Sequence, residues 1–157
     1  MFSVSNILCG HAAGNERLRY SHRRKTPVLS ESLSEGPGGS FSVPKPVVVW
    51  ALTRACNLKC IHCYAAAKPD PAPGELTTLQ GMQLLDDLAE FKVPAVLFSG
   101  GEPLQRRDCL TLMDYAVGRD LRVSLSTNGT LITDETARRL KRIGVQYAGI
   151  SIDGAPE

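Results

Sequence analysis

The sequence predicts an α/β fold built on a parallel sheet. Apolar runs of strand length alternate along the chain with segments of helical periodicity, in the order βαβαβαβ. Each apolar run is followed by glycine, small polar residues or cysteine. The 157 residues are 43% hydrophobic and 22% charged, which is typical of a globular protein with a buried core. We therefore expect an ordered sheet whose strand ends carry the chemistry.

The first strand and the first helix have clear signals. Residues 47–52 form a continuous apolar run, as in a strand that is buried on both faces. Thr77 and Gln80 have the spacing of a capping box and open a helix predicted over residues 77–91. The apolar residues that recur at helical intervals in this segment are Leu79, Met82, Leu84, Leu85, Leu88 and Phe91.

The alternation continues to the end of the chain. The remaining predicted elements are a strand at 95–99, a helix at 108–118, a strand at 122–126, a helix at 133–143 closed by Gly144, and a strand at 146–152. Strands that alternate with helices in this way form parallel sheets, in open or barrel form. In both forms, ligands bind at the carboxyl ends of the strands.

Two regions are predicted, an N-terminal extension or linker of residues 1–46 and a core of residues 47–157. The extension is first basic and then rich in Ser, Gly and Pro, which indicates either a solvated arm or a docking segment for an anionic partner. The formal net charge of only +2 gives no reason to expect a nucleic-acid partner. No apolar stretch approaches the roughly 20 residues of a membrane span, so no membrane partner is expected either.

Three of the five cysteines lie in one loop directly after the first strand. Cys56, Cys60 and Cys63 form a Cys-x3-Cys-x2-Cys pattern, which suits an iron–sulfur cluster with one iron left open. One alternative is a zinc-binding interaction module in which His62 is the fourth ligand. The other is a set of thiols that bind no metal. An odd number of clustered cysteines indicates a reducing compartment, here the cytoplasm. Cys109 lies in a predicted helix and is expected to be packed in the core.

Small polar and glycine residues follow the three later strands at the same predicted rim. These segments are Gly100-Gly101-Glu102, Ser126-Thr127-Asn128-Gly129 and Ser151-Ile152-Asp153-Gly154. Each segment alone is compatible with a turn. Paired glycines also let a backbone approach a ligand closely, and these three strand ends on one rim with the cysteine loop favour a binding site.

The combination CNLKCIHCY, GGEP, STNG and SIDG resembles the radical S-adenosylmethionine (SAM) superfamily. The resemblance covers residues 47–157 and implies the first four βα units of a partial (βα)6 TIM-like barrel, truncated at the C-terminus. It implies that Cys56, Cys60 and Cys63 hold a 4Fe-4S cluster whose fourth iron binds SAM. The residues it places around SAM are Gly100, Gly101 and Glu102 at the amino group, Ser126 and Asn128 near carboxylate and ribose, Ser151 and Asp153 facing ribose or substrate, and Tyr64 beside the adenine.

The resemblance also implies the reaction. The reduced cluster cleaves SAM to a 5′-deoxyadenosyl radical, which abstracts hydrogen from a substrate, and no side chain acts as acid or base in that step. An electron donor such as flavodoxin or ferredoxin is expected as a partner. A truncated chain is expected to lack the substrate contacts that the later βα units make, and it can be inactive alone.

Several segments most resemble radical SAM enzymes that remove side chains from sirohaem-derived tetrapyrroles in haem biosynthesis. These are PVVVWALTRACNLKCIHCYAAA, PGELTT, LSTNGTLI and YAGISIDG. The openings SVSNILCG and LRYSHR resemble the type that removes acetate side chains, a 12,18-didecarboxysirohaem deacetylase, which implies a tetrapyrrole substrate. The alternative is a peptide or protein maturase with an auxiliary-cluster domain.

Overall fold

Four parallel strands form one sheet in the computed structural model, which describes residues 45–152. The strands lie in the spatial order β1-β2-β3-β4 and are β1 (Val48–Thr53), β2 (Val96–Gly100), β3 (Val123–Thr127) and β4 (Tyr147–Ile150). The connecting helices are α1 (Thr78–Glu90), α2 (Cys109–Val117) and α3 (Asp134–Ile143), with a short 3-10 turn at Pro103–Gln105. The predicted α/β class and element order are confirmed.

The core lies between the helices and one face of the sheet. Trp50, Phe98 and Leu125 occupy equivalent register positions on β1, β2 and β3 and are buried. The rings of Trp50 and Phe98 lie 5.5 Å apart between centroids. Leu85 of α1 and Leu112 of α2 are fully buried in the same cluster. Burial of this apolar surface is the main source of the fold's stability.

The opposite face of β1 differs from the prediction of a strand buried on both sides. Val49 on that face is 61% exposed, whereas Leu52 is 1% exposed. The described helices bury their apolar residues in the cluster that contains Trp50, so the Val49 side is left uncovered within residues 45–152. A continuous apolar run predicts a strand here, but it does not show which faces are covered.

The helix boundaries have the local causes that the sequence indicates. Thr77 Oγ1 accepts from the Gln80 N–H, and the Thr77 N–H donates to Gln80 Oε1, so the capping box that begins α1 is formed. Gly144 ends α3 with a φ of 92°, a left-handed conformation that glycine adopts without strain. Both boundaries confirm the predictions.

Helix α2 begins one residue after the predicted start. Asp108 occupies the N-cap position, but its side chain makes no capping hydrogen bond. Cys109 is 1% exposed, which confirms the prediction that it packs in the core. Burial raises the pKa of the Cys109 thiol to about 12, so this cysteine stays protonated and unreactive.

Some predicted features lie outside the described residues. These are Asp153 and Gly154, together with the basic cluster and most of the extension predicted over residues 1–46. The extension and the domain boundary stay predictions. Between residues 45 and 152, no helix is both long enough and apolar enough to cross a membrane.

Candidate functional site

The three clustered cysteines lie in the loop that joins β1 to α1. Cys56 is buried at 9% exposure, whereas Cys60 and Cys63 are exposed, and all three are free thiols. The Cys63 N–H donates to the Cys60 carbonyl over 3.2 Å, which forms a turn between these two cysteines. His62 is exposed in the same turn. Over residues 45–152, no three potential ligands are close enough together to hold a metal ion.

Amide groups are directed at the sulfur atoms of this loop. The Leu58 N–H lies 3.4 Å from Cys56 Sγ, and Asn128 Nδ2 lies 3.7 Å from the same sulfur. A hydrogen bond from the Ala67 backbone N–H lowers the pKa of the exposed Cys63 thiol. Thiolates are the form that binds metals, and N–H donors stabilise them. The donor chemistry of the loop therefore fits an iron–sulfur cluster.

The predicted glycine pair closes the end of β2 against the end of β1. Gly100 has a φ of 136°, and a Cβ there would clash with the Thr53 carbonyl oxygen. The Gly101 N–H donates to the Thr53 carbonyl over 2.8 Å, and the Glu102 N–H donates to the Ala55 carbonyl over 2.7 Å. Only glycine permits this approach of two backbones. The pair thereby anchors the beginning of the cysteine loop.

Glu102 is fully buried and bonded to its own chain. Its Oε1 accepts from the Leu104 N–H over 3.0 Å and from Thr127 Oγ1 over 2.8 Å. Its Oε2 accepts from the Asn128 N–H over 2.7 Å. The carboxylate is 0% exposed, so it joins the loop after β2 to the end of β3. The contact of Glu102 with the amino group of SAM stays a prediction. Because the carboxylate is already bonded within the chain, the backbone of Glu102 is the part that could make this contact.

Asn128 connects the end of β3 to the cysteine loop. Its Nδ2 lies 3.0 Å from Asn57 Oδ1 as well as near Cys56 Sγ. Asn57 Nδ2 donates to Thr130 Oγ1 over 2.8 Å, and Thr130 Oγ1 donates to Asn128 Oδ1 over 2.7 Å. No local pattern indicates this role of Asn57, because its partners lie more than 70 residues further along the chain.

The other predicted ligand contacts have different environments. Ser126 is half-buried near the end of β3. Ser151 is exposed, and its N–H donates to the Thr127 carbonyl over 3.0 Å, so pairing with β3 extends one residue beyond β4. Tyr64 is 89% exposed in the cysteine loop. The structure therefore places Ser126 near the carboxyl end of β3 and Ser151 directly after β4.

Glu75 supports the beginning of the cysteine loop and was missed by sequence analysis. Its Oε1 accepts from Thr53 Oγ1 over 3.0 Å, from the Arg54 N–H over 2.8 Å and from the Ala72 N–H over 2.8 Å. Partial burial opposes ionisation of Glu75, but these donors outweigh it and lower the pKa of the carboxyl group. A lone acidic residue in a loop rich in Pro and Gly carries no signal for this role.

Arg106 and Asp108 form a second support that sequence analysis missed. Arg106 Nε and Nη2 contact the two carboxylate oxygens of Asp108 at 2.6 and 2.9 Å. Arg106 also donates to the carbonyls of Leu52 and Leu76, and Thr78 Oγ1 donates to Asp108 Oδ2. This bidentate pair ties β1 to the start of α1 and explains why Asp108 does not cap α2.

Acid is expected to weaken this support. The hydrogen bond from Arg106 is the main cause that lowers the pKa of Asp108 from 3.8 to about 2. Because the folded-state pKa is lowered, the stabilisation is present above about pH 4 and is lost as the pH falls towards 2. It amounts to at most about 2 kcal/mol. Urea unfolding between pH 5 and pH 2 checks this effect.

The matched variant for that measurement is Asp108→Asn, which removes the carboxylate and keeps the size of the side chain. The free-energy difference between the original chain and the variant should shrink as the pH falls. A difference that stays constant over this range would show that the ion pair contributes nothing.

Comparison with known proteins agrees with this geometry. The family model described as the Radical SAM superfamily matches residues 50–157. The chain belongs to the radical SAM superfamily. The family is one of enzymes, and it implies a 4Fe-4S cluster and SAM as cofactors. The resemblance noted in the four motifs is thus confirmed at the level of the family.

Two curated radical SAM relatives act in tetrapyrrole chemistry by name. Fe-coproporphyrin III synthase from Methanosarcina barkeri is 46% identical over 158 residues, covering 100% of this chain and 38% of the relative. Pre-heme d1 synthase from Dinoroseobacter shibae is 51% identical over 111 residues, covering 71% of this chain and 28% of the relative. The chain thus spans about a third of the length of these relatives, and both names support the haem-biosynthesis branch.

A solved structure shares the fold. The crystal structure of BtrN in complex with AdoMet and 2-DOIA has a TM-score of 0.62 and 19% identity. The similarity covers 73% of this chain and 49% of BtrN. It supports the prediction that the four parallel strands and their helices form the first part of a radical SAM partial barrel.

Proposed function

We propose that this chain forms the cofactor-binding part of a radical SAM enzyme that removes side chains from a sirohaem-derived tetrapyrrole in haem biosynthesis. The proposal rests mainly on one observation: the cysteine loop contacts the segments that follow β2 and β3. There Ala55 pairs with Glu102, and Cys56 lies within hydrogen-bonding distance of Asn128. This junction places a thiol loop and two polar strand ends at one site.

The proposed cluster ligands are Cys56, Cys60 and Cys63. When bound, the cluster supplies an electron to SAM and so generates the 5′-deoxyadenosyl radical that attacks the substrate. The loop is anchored at Cys56, which is buried, and is exposed at the other two thiols. The buried Cys56 thiol would be the ligand that the fold holds most firmly, and the exposed Cys60 and Cys63 thiols would complete the set. Family membership favours this cluster over a zinc site that uses His62.

The proposed SAM site lies along the neighbouring strand ends. The N–H groups of Gly101 and Glu102 already bond to the β1 side, so the carbonyl oxygens of this segment are the proposed acceptors for the SAM amino group. Ser126 and Asn128 are proposed near the carboxylate and ribose. The remaining proposed contacts are Ser151, Asp153 and Tyr64.

The proposed substrate is a tetrapyrrole, and the acetate-removing type is favoured. The match to Fe-coproporphyrin III synthase extends over all residues of this chain, including 1–46, whereas the match to pre-heme d1 synthase covers 71% of it. The longer match to a synthase named for a coproporphyrin supports a tetrapyrrole substrate, and the acetate-removing type is proposed on the resemblance of the N-terminal segments. A cytoplasmic location and a flavodoxin or ferredoxin as electron donor follow from the need for a reduced cluster.

The test is anaerobic reconstitution with iron and sulfide, followed by electron paramagnetic resonance of the reduced protein with and without SAM. We expect a reduced 4Fe-4S signal that changes when SAM is added. Turnover is then assayed as 5′-deoxyadenosine formed with 12,18-didecarboxysirohaem, with peptides as the comparison substrates. Bound zinc without a cluster would overturn the proposal, and turnover with a peptide alone would replace the tetrapyrrole by a maturase substrate.

A further inference from the structure

We propose that Asn57, Asn128 and Thr130 form an amide clasp that directs one Nδ2–H of Asn128 at the Cys56 sulfur, and that Asn57 thereby raises the reduction potential of the bound cluster. The inference rests on the proposed cluster function. It concerns a residue that lies between two proposed ligands and that binds no metal itself.

The clasp uses the full hydrogen-bonding capacity of the Asn128 amide. Its Nδ2 has two hydrogens, and its two acceptors are Asn57 Oδ1 at 3.0 Å and Cys56 Sγ at 3.7 Å. Its Oδ1 accepts from the Thr130 N–H over 3.0 Å and from Thr130 Oγ1 over 2.7 Å. The plane of the amide is therefore fixed on both sides, with one N–H left for the sulfur.

Asn57 closes the ring through both ends of its own amide. Its Oδ1 accepts from Asn128, and its Nδ2 donates to Thr130 Oγ1 over 2.8 Å. The three side chains thus form a cycle in which each donor has an acceptor. The backbone of Asn128 is also held, because its N–H donates to the buried carboxylate of Glu102 over 2.7 Å. The direction of the N–H towards Cys56 is consequently set by Asn57 on the nitrogen side of the amide and by Thr130 on the oxygen side.

A hydrogen bond to a cluster sulfur changes the potential in a defined direction. Reduction adds negative charge to the cluster, and an N–H donor stabilises the more negative state. Loss of the donor therefore makes the midpoint potential more negative. Because the side-chain hydrogen bonds of Asn57 go to Asn128 and Thr130 and not to the sulfur, its effect on the cluster passes through Asn128, so Asn57 is a positioning residue.

The experiment measures the midpoint potential of the reconstituted protein in four forms: the original chain, Asn57→Ala, Asn128→Ala and the double variant. Asn57→Ala and Asn128→Ala should each shift the potential to a more negative value. The double variant should show the same shift as Asn128→Ala alone, since Asn57 has no separate route to the cluster. Ile61→Ala is the matched control, because Ile61 is a neutral, fully exposed residue of the same loop and should leave the potential unchanged.

A second measurement in the metal-free chain separates the clasp from the cluster. The unfolding free energies of the same four forms in urea should be non-additive, because either single substitution breaks the same ring. Additive losses, or an unchanged potential in Asn57→Ala with full iron content, would overturn the clasp. Absence of a cluster from the original chain would overturn the proposed function and with it the effect on potential, whatever the unfolding data show.

Discussion

Cys60→Ala is expected to abolish assembly of the 4Fe-4S cluster. Substitution of a residue that only hydrogen-bonds to a metal ligand typically lowers metal affinity roughly 10- to 100-fold. Removing one of three thiolate ligands should lower the affinity for the cluster by more than that. Cys60 is exposed, so the substitution leaves the buried core intact. Iron and sulfide content after anaerobic reconstitution, with the absorbance of the cluster, measures the effect.

Two further variants make this result specific. Cys109→Ala removes a buried thiol that the fold uses only for packing, and it should retain the cluster. His62→Ala changes the residue between two ligands and should also retain it. Loss of metal in His62→Ala would favour a zinc site with a histidine ligand. Full iron content in Cys60→Ala would contradict the three-cysteine site.

Glu102→Ala is expected to cause the largest loss of stability among the polar residues of the site. The substitution leaves the N–H groups of Leu104 and Asn128 and the hydroxyl of Thr127 without their buried acceptor. Unpaired buried donors together with the cavity should cost about 3 kcal/mol or more. Urea unfolding of the metal-free chain measures this loss.

Glu135→Ala is the control for Glu102→Ala. Glu135 is an exposed carboxylate in the first turn of α3, where its removal should cost about 0.3–1 kcal/mol. Similar losses in the two variants would show that the buried bonds of Glu102 do not stabilise the fold. Glu102→Gln keeps one acceptor oxygen, so its loss should lie between those of the two alanine variants.

The elements of the fold were predictable because their signals are local. The apolar run of β1, the Thr77 capping box and the Gly144 helix end each lie within a few residues of the boundary that they determine. The absence of cover over Val49 was not predictable, since it depends on which elements pack on each face. Sequence periodicity contains no such information for a short apolar strand.

The candidate site was predictable as a set of segments but not as a set of contacts. The motifs located the cysteine loop and the strand ends, and the family match confirmed what they resemble. The ligand contact predicted for the motif around Glu102 stays a prediction, and the motif contained no sign that the Glu102 carboxylate joins the loop after β2 to the end of β3. Glu75, Arg106 and Asn57 make contacts across 21 to 73 residues of sequence, beyond the range of any local pattern.

The packing of Trp50 gives the chain a built-in optical reporter. Trp50 is the single tryptophan of the sequence, and its ring is covered by Phe98 and by the close approach of Gly81 in α1. In the metal-free chain its emission therefore responds to separation of α1 from the sheet. A change at the cysteine loop that leaves this emission unaltered has altered the site alone, so one fluorescence spectrum distinguishes a damaged site from a damaged fold.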